Sequence, residues 1–376
     1  MPGLLPDVDP DGLLEYSVVY TDRARNHMSA GFQQVMNDLS RILRETYNAD
    51  AVAIVPGSGT FGMEAVARQF ATDKHVLVVR NGWFSYRWTQ IFEAGSIPAS
   101  ETVMKARRVA DEPTGQFVPC PIDEVVAKIH EERPAVVFAP HVETSAGMIL
   151  ADDYTRQLSE AVHAVGGLMV LDCIASGTIW VDMEATGVDV LVSAPQKGWS
   201  GPPCAGLVML SARGHEALGD AAPSTSFAAD LRKWREIMHA YESCKHGYHA
   251  TMPTDALTIF RDVALETETY GMDKVMAEQL ELGTRVRAAL AARGIVSVAA
   301  DGWGAPGVVV SYTSDPDIKS GAKFAAAGMQ IAGGVPLMCD EGDDFSTFRL
   351  GLFGLDKLHN VDRTVASLES VLDQIL

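Results

Sequence analysis

Two side chains in this sequence stand where a parallel sheet would aim them at a single crevice. GLMVLDCIASG places Asp172 at the carboxyl end of an apolar run, and VDVLVSAPQKGWSGPP places Lys197 just beyond the next such run. Ligands of a helix-covered parallel sheet gather outside the carboxyl ends of its strands. An acid and an amine one βα unit apart therefore face the same space. Upstream, AVAIV runs into Pro56-Gly57-Ser58-Gly59-Thr60-Phe61-Gly62 and then the helical segment MEAVARQF. Free N–H groups and hydroxyls at such a helix start make an anion site. Singly, Asp172 reads as a helix cap, Lys197 as a surface lysine and the glycines as a tight turn. Together they supply an acid, an amine and an anion cradle.

Two cofactor chemistries use such a cradle. Gly57, Gly59 and Gly62 satisfy GxGxxG, the dinucleotide fingerprint. The acidic ribose partner expected about 20 residues later is missing, although the next run, HVLVV, ends in Arg80-Asn81, where an arginine suits a 2′-phosphate. Pyridoxal phosphate accounts for more of the residues. Lys197 would take its aldehyde, Asp172 would pair with the protonated pyridine nitrogen that makes the ring an electron sink, and Ser58 and Thr60 would help hold its phosphate.

The elements that must position these groups follow from the apolar pattern. Runs at 51–55, 75–79, 135–139, 167–172, 188–193 and 205–210 alternate with helical spacing at 122–132 and 153–165. Continuous apolar strands separated by helices predict an α/β domain whose mostly parallel sheet is covered on both faces. A long helical stretch at about 254–294 then leads to PGVVVSY (306–312), FSTFRLG (345–351) and a last amphipathic helix at 358–375. That pattern predicts a smaller C-terminal α+β domain. The division expected is an arm over 1–20, a large cofactor-binding domain over 21–265 and a small domain over 266–376.

Composition narrows the partners. The chain has 376 residues, 49 acidic against 30 basic, for a formal net charge of −19. Such an excess offers no general attraction for nucleic acid or an anionic membrane. The opening MPGLLPDVDPDGLLEY has no basic n-region or signal-length apolar run, and no stretch approaches a membrane span. Five scattered cysteines, never spaced CxxC, argue against a disulfide framework or a metal site. A cytoplasmic protein is the expectation.

Taken in order, these segments resemble the class V aminotransferases of fold type I, among them alanine–glyoxylate, serine–glyoxylate and 2-aminoethylphosphonate–pyruvate transaminases. The resemblance covers roughly residues 24–376. GSGTFGMEA is similar to the family's phosphate turn, implying that Ser58, Gly59 and Thr60 bind phosphate. Asn81-Gly82-Trp83-Phe84 resembles the segment whose aromatic stacks on the pyridine ring, by position Phe84. His141-Val142-Glu143-Thr144-Ser145-Ala146-Gly147 is similar to H-x-E-[ST]-[ST]-x-G and implies that Thr144 sits near the ring hydroxyl.

Ile174, two beyond Asp172, would pack the other ring face, and Gln196-Lys197 resembles the family's Gln–Lys pair, with Gln196 near the phosphate. Tyr248-His249-Ala250-Thr251-Met252-Pro253 resembles Y-H-x-T-x-P, implying that Tyr248 and Thr251 reach the phosphate of a second subunit in a homodimer. Phe348-Arg349-Leu350-Gly351 is similar to the strand whose arginine binds the substrate carboxylate. Two departures stand out. The family's glycine- and proline-rich opening is replaced by EYSVVYTDRARNHMSAGF, and Pro195 replaces a small hydroxyl residue two before the lysine.

The activity implied is transamination of a small amino acid with a small 2-oxo acid, glyoxylate or pyruvate, in two half-reactions. Arg349 would fix the carboxylate and neutral Lys197 would move the α-proton. Arg23 and Arg25, in the atypical opening, are candidates for a second anionic group of the substrate. The rivals are a cysteine desulfurase-like lyase, with Cys339 of GGVPLMCDEGDDF as nucleophile, and a dinucleotide-dependent oxidoreductase.

Overall fold

The computed structural model describes residues 8–10 and 12–376. Part of the arm expected over 1–20 thus lies outside the described residues. Seven strands form the main sheet: β1 (Ala51–Pro56), β2 (His75–Arg80), β3 (Ser100–Lys105), β4 (Val136–Pro140), β5 (Leu168–Asp172), β6 (Val190–Ser193) and β7 (Ala205–Leu210). Their order is β1-β7-β6-β5-β4-β2-β3. Pairs β6/β5, β5/β4, β4/β2 and β2/β3 are parallel, whereas β7 runs antiparallel to both β1 and β6. The six apolar runs are therefore strands, as the pattern predicts. Edge strand β3, SETVMK, carries no apolar run because five of its residues are half-buried and Ser100 is exposed.

Helices cover the sheet, and the strands between them are apolar and buried up to their ends, where β1 closes with the half-buried Pro56 and β5 with Asp172. Helix Ile122–Glu132 begins and ends where its spacing predicts, and Asp152–Ala164 is displaced by one residue. The helical stretch at 254–294 is not one helix. It breaks at Gly271 into Thr254–Tyr270 and Met272–Ala291, with a φ of +116° at the break. Strands β8 (Val308–Tyr312), β9 (Ala332–Gly333) and β10 (Thr347–Gly351) make a second, antiparallel sheet in the order β8-β10-β9. A separate core under it gathers Val275, Leu282, Val286, Phe348, Leu350 and Leu372. A third cluster joins residues from both regions, among them Phe117, Met148, Val298 and Val310.

The reversed strand β7 places the main loops. Because β7 starts where β1 and β6 end, the glycine turn after β1 and the loop carrying Lys197 meet at one edge of the sheet. Gly57 N donates to Cys204 O at 2.9 Å, tying the turn to the residue before β7. Helix Gly59–Phe70 then lies directly on β7. A Cβ at Gly206 would fall 2.7 Å from Gly62 Cα and 2.9 Å from Ser58 O, so the approach is backbone on backbone. Gly206→Ala is expected to lower stability by about 1–3 kcal/mol through overpacking. A reduced denaturant midpoint at unchanged m-value would register it, and the displaced turn should bind anions less well.

Candidate active site

Sheet register brings the acid to the loop cluster. Asp172 ends β5 and pairs with Pro140 of β4 on one side and Val192 of β6 on the other. It is buried, and among the described residues its carboxylate takes one hydrogen bond, from Ile174 N to Oδ1 at 2.9 Å. Burial without a cation partner pushes this carboxyl up to about 7. The Ile174 amide opposes the shift, Glu143 adds to it, and Lys197 and Arg87 oppose it. Next door, His141 is buried with Nδ1 2.7 Å from Ser176 Oγ, and burial lowers its ring to about 4. It is a neutral imidazole at physiological pH.

Lys197 lies in the loop between β6 and β7, half-buried, with Nζ 5.8 Å from the centroid of the Phe353 ring. Burial lowers its affinity for a proton. Asp172 works against that shift, and Arg349 and Arg87 reinforce it. Desolvation and two guanidinium groups thus favour the neutral amine, the form that can act as nucleophile or base. The segment after β10 is fastened to the same loop by Leu355 N donating to Ser200 Oγ at 3.0 Å.

The anion turn is built against the acid's own neighbour. Ser58 is the N-cap of helix Gly59–Phe70, yet its side chain makes no capping bond. A Cβ on Gly59 would meet Ile174 Cδ1 at 2.6 Å, so a glycine is needed for the turn to sit against Ile174. Gln196 has a buried Oε1 with no hydrogen-bond partner among the described residues. These are polar groups not committed to the protein itself.

A fully buried carboxylate organises the other wall. Glu143 accepts from Phe84 N (3.1 Å), Ser85 N (2.9 Å), Ser85 Oγ (2.7 Å), Ser145 N (3.1 Å) and Ser145 Oγ (2.7 Å). It thereby caps helix Trp83–Gly95 and sets Phe84 in its first turn. Thr144, buried in the tight turn between Val142–Glu143 and Met148–Ile149, is carried by the same knot. Two guanidinium groups approach the Phe84 ring, Arg87 at 5.3 Å and Arg349 at 5.5 Å. Arg349 Nε donates to Gly333 O at 2.8 Å, which fixes it on the small sheet.

The structure therefore brings Ser58, Gly59, Thr60, Phe84, Asp172, Ile174, Lys197 and Arg349 into one connected neighbourhood through the contacts above. Tyr248 and Thr251 stand apart. Tyr248 is 56% exposed, its hydroxyl 3.2 Å from Thr251 Oγ1, and no hydrogen bond links either residue to the turn or to Lys197. Arg25 is tied elsewhere, its Nε and Nη2 donating to Val8 O at 3.1 Å. Among the described residues, no group of three or more His, Cys, Asp or Glu is arranged to hold a metal ion, and no helix is long and apolar enough to cross a membrane.

Comparison with known proteins agrees with this geometry. Residues 13–309 match the family described as Aminotransferase class-V. The chain belongs to the class V aminotransferases. Alanine–glyoxylate aminotransferase 1 of Saccharomyces cerevisiae is 27% identical over 82% of this chain and 82% of its own. A protein named soluble hydrogenase, small subunit, from Synechococcus sp. is 26% identical over 93% of this chain and 87% of its own. The crystal structure of an alanine–glyoxylate aminotransferase from Nostoc sp. superposes with a TM-score of 0.76 at 20% identity, covering 92% of this chain and 88% of that one.

As a class V aminotransferase, the protein is a transaminase that depends on pyridoxal phosphate, and the fold is that of the pyridoxal-phosphate transferases. The dinucleotide and lyase readings give way. Cys339 in particular is buried, donates to Arg80 O at 3.3 Å, and burial pushes its thiol up to about 12. A thiolate nucleophile requires the opposite environment.

Three residues to which the sequence assigns no role stand in this site: Arg87, Glu143 and Phe353. Arg87 was findable, since it lies three residues after Phe84 on a helix and i,i+3 neighbours share a face. Glu143 and Phe353 owe their places to contacts that no local spacing encodes.

Two tests follow from this aminotransferase's geometry. Replacing Glu143 by Gln turns an all-acceptor group into one that clashes donor to donor. A loss of about 3 kcal/mol in stability is expected, measured by thermal denaturation. For Asp172, the folded-state value lies above the unfolded one. The contribution of Asp172 to the stability of the cofactor-free protein is then fully present below about pH 4 and is lost as pH rises towards about 7, by roughly 1.4 kcal/mol per pH unit. Asp172→Asn should flatten that slope and make the cofactor-free protein more stable than wild type at pH 8.

Proposed function

We propose that this transaminase takes the amino group from a small amino acid and gives it to a small 2-oxo acid, glyoxylate or pyruvate. The observation that carries this reading is the convergence of Asp172 with Ile174 against the Gly59 turn, of Arg87 and Arg349 on the Phe84 ring, and of a lysine whose charge Asp172, Arg349 and Arg87 all influence. The yeast relative, named for alanine and glyoxylate, supports substrates of this size.

The available groups fit pyridoxal phosphate. Asp172, lacking a cation, suits the pyridine N–H. The uncapped Ser58 hydroxyl and the Gly59 and Thr60 amides suit a phosphate, and the Gln196 side-chain N–H would donate to it. Phe84 and Ile174 would enclose the ring, with Thr144 beside its hydroxyl. When bound, the cofactor supplies an electron sink for the negative charge left as the substrate loses its α-proton. Arg349 holds the substrate carboxylate through two parallel hydrogen bonds, a geometry that lysine cannot reproduce. Lys197 Nζ, whose affinity for a proton burial lowers, would take the proton from the α-carbon and deliver it to the carbon that will bear the amino group. Asp172 keeps the ring nitrogen protonated throughout.

Tyr248 and Thr251 would complete the phosphate site of a second subunit, which makes the working unit a homodimer. Their solvent-facing position and the absence of a bond to their own chain's turn support that assignment. Purified protein supplied with pyridoxal phosphate should be yellow, bleach with borohydride, and lose the chromophore on Lys197→Ala. Each productive amino acid should shift the band, and an oxo acid should restore it. A colourless wild type would overturn the reading.

A further inference from the structure

We infer that Arg87 is a cofactor-binding residue whose guanidinium holds the phosphate of pyridoxal phosphate. The inference rests on the transaminase reading and adds a cation to a phosphate site otherwise built from amides and hydroxyls. Arg87 Nη1 donates to Thr60 Oγ1 at 3.2 Å, which places the guanidinium at the anion turn itself. In a chain with 49 acidic against 30 basic residues, several arginines pair with a carboxylate, among them Arg41, Arg261 and Arg285. Among the described residues, Arg87 has none within ion-pairing distance.

Its half-buried position costs part of the hydration of its charge, so an anion is the expected counterpart. The cofactor phosphate is the anion whose place the neighbouring residues mark: the Ser58 side chain makes no capping bond and its hydroxyl is left to donate at the start of helix Gly59–Phe70. A guanidinium fork matches two phosphate oxygens at once. Both arginines near Phe84 then have distinct anions. Arg349, tied to Gly333 of the small sheet, faces the substrate carboxylate, and Arg87, tied to Thr60, faces the phosphate.

The test compares cofactor-free wild type, Arg87→Gln and Arg87→Lys, each checked for unchanged thermal denaturation. Dissociation constants are measured for pyridoxal phosphate and for pyridoxal, which lacks the phosphate. The expected result is a roughly ten- to hundredfold weaker binding of pyridoxal phosphate by Arg87→Gln, unchanged binding of pyridoxal, and partial recovery in Arg87→Lys. Inorganic phosphate should compete with pyridoxal phosphate less effectively in Arg87→Gln than in wild type. Equal losses for both ligands would overturn the inference and make Arg87 a support for Phe84. Unchanged affinity for both would also overturn it, and a raised KM confined to dicarboxylic donors would then assign Arg87 to a substrate carboxylate. Failure of wild type to bind pyridoxal phosphate at all would count against the transaminase reading instead.

Discussion

A carboxylate with no cation within ion-pairing distance among the described residues holds the cofactor side of this molecule together. Glu143 is fully buried and receives five hydrogen bonds from Phe84, Ser85 and Ser145. Burying an unpaired charge is costly, and several well-placed donors are what make it tolerable. The return is positional. Glu143 belongs to the turn after β4, as does its donor Ser145, whereas Phe84 and Ser85 open the helix after β2. One side chain therefore fixes the helix start, the aromatic on that start and the arginine one turn later. Removing it would release all three from the sheet together.

Much of the fold was legible because a doubly covered parallel sheet writes its strands as unbroken apolar runs. All six such runs are strands. Legibility failed where burial is incomplete or direction matters. Strand β3 sits at the edge with its residues half-buried or exposed, so nothing apolar marks it. The reversed direction of β7 leaves no trace in AGLVML, since a buried strand reads the same both ways. The break at Gly271 was hidden because both flanking helices share an apolar rhythm, and only a positive φ at one glycine separates them.

Within the site, Asp172 and Lys197 were legible from their places just past strand ends. Arg349 and Phe84 needed a family resemblance, because a lone arginine in a strand or an aromatic in a helix has common structural explanations. Glu143 stands in the H-x-E motif, but its bonds to Phe84 and Ser85, like the place of Phe353, act across long stretches of chain that no local spacing reveals. The acidic balance, −19 overall, describes the surface and gives no hint of the interior of the crevice. There the cations prevail: two guanidinium groups lie near one aromatic ring, and burial leaves the intervening lysine ready to lose its proton.

Strand β7 contributes no reacting atom, yet it works as a spacer. From β1 to β5 the sheet takes three steps, by way of β7 and β6, and each step is about 4.8 Å. The ends of β1 and β5 are thus set roughly 14 Å apart across the strands, and the turn after β1 recovers that distance by folding back over β7 and β6 until Gly59 meets Ile174. Loops can trim the fit at either end, but no loop can alter the step. A ligand that joins a basic ring to a phosphate fits the space that remains once the helix start has crossed those strands, and the sheet sets how far it must cross.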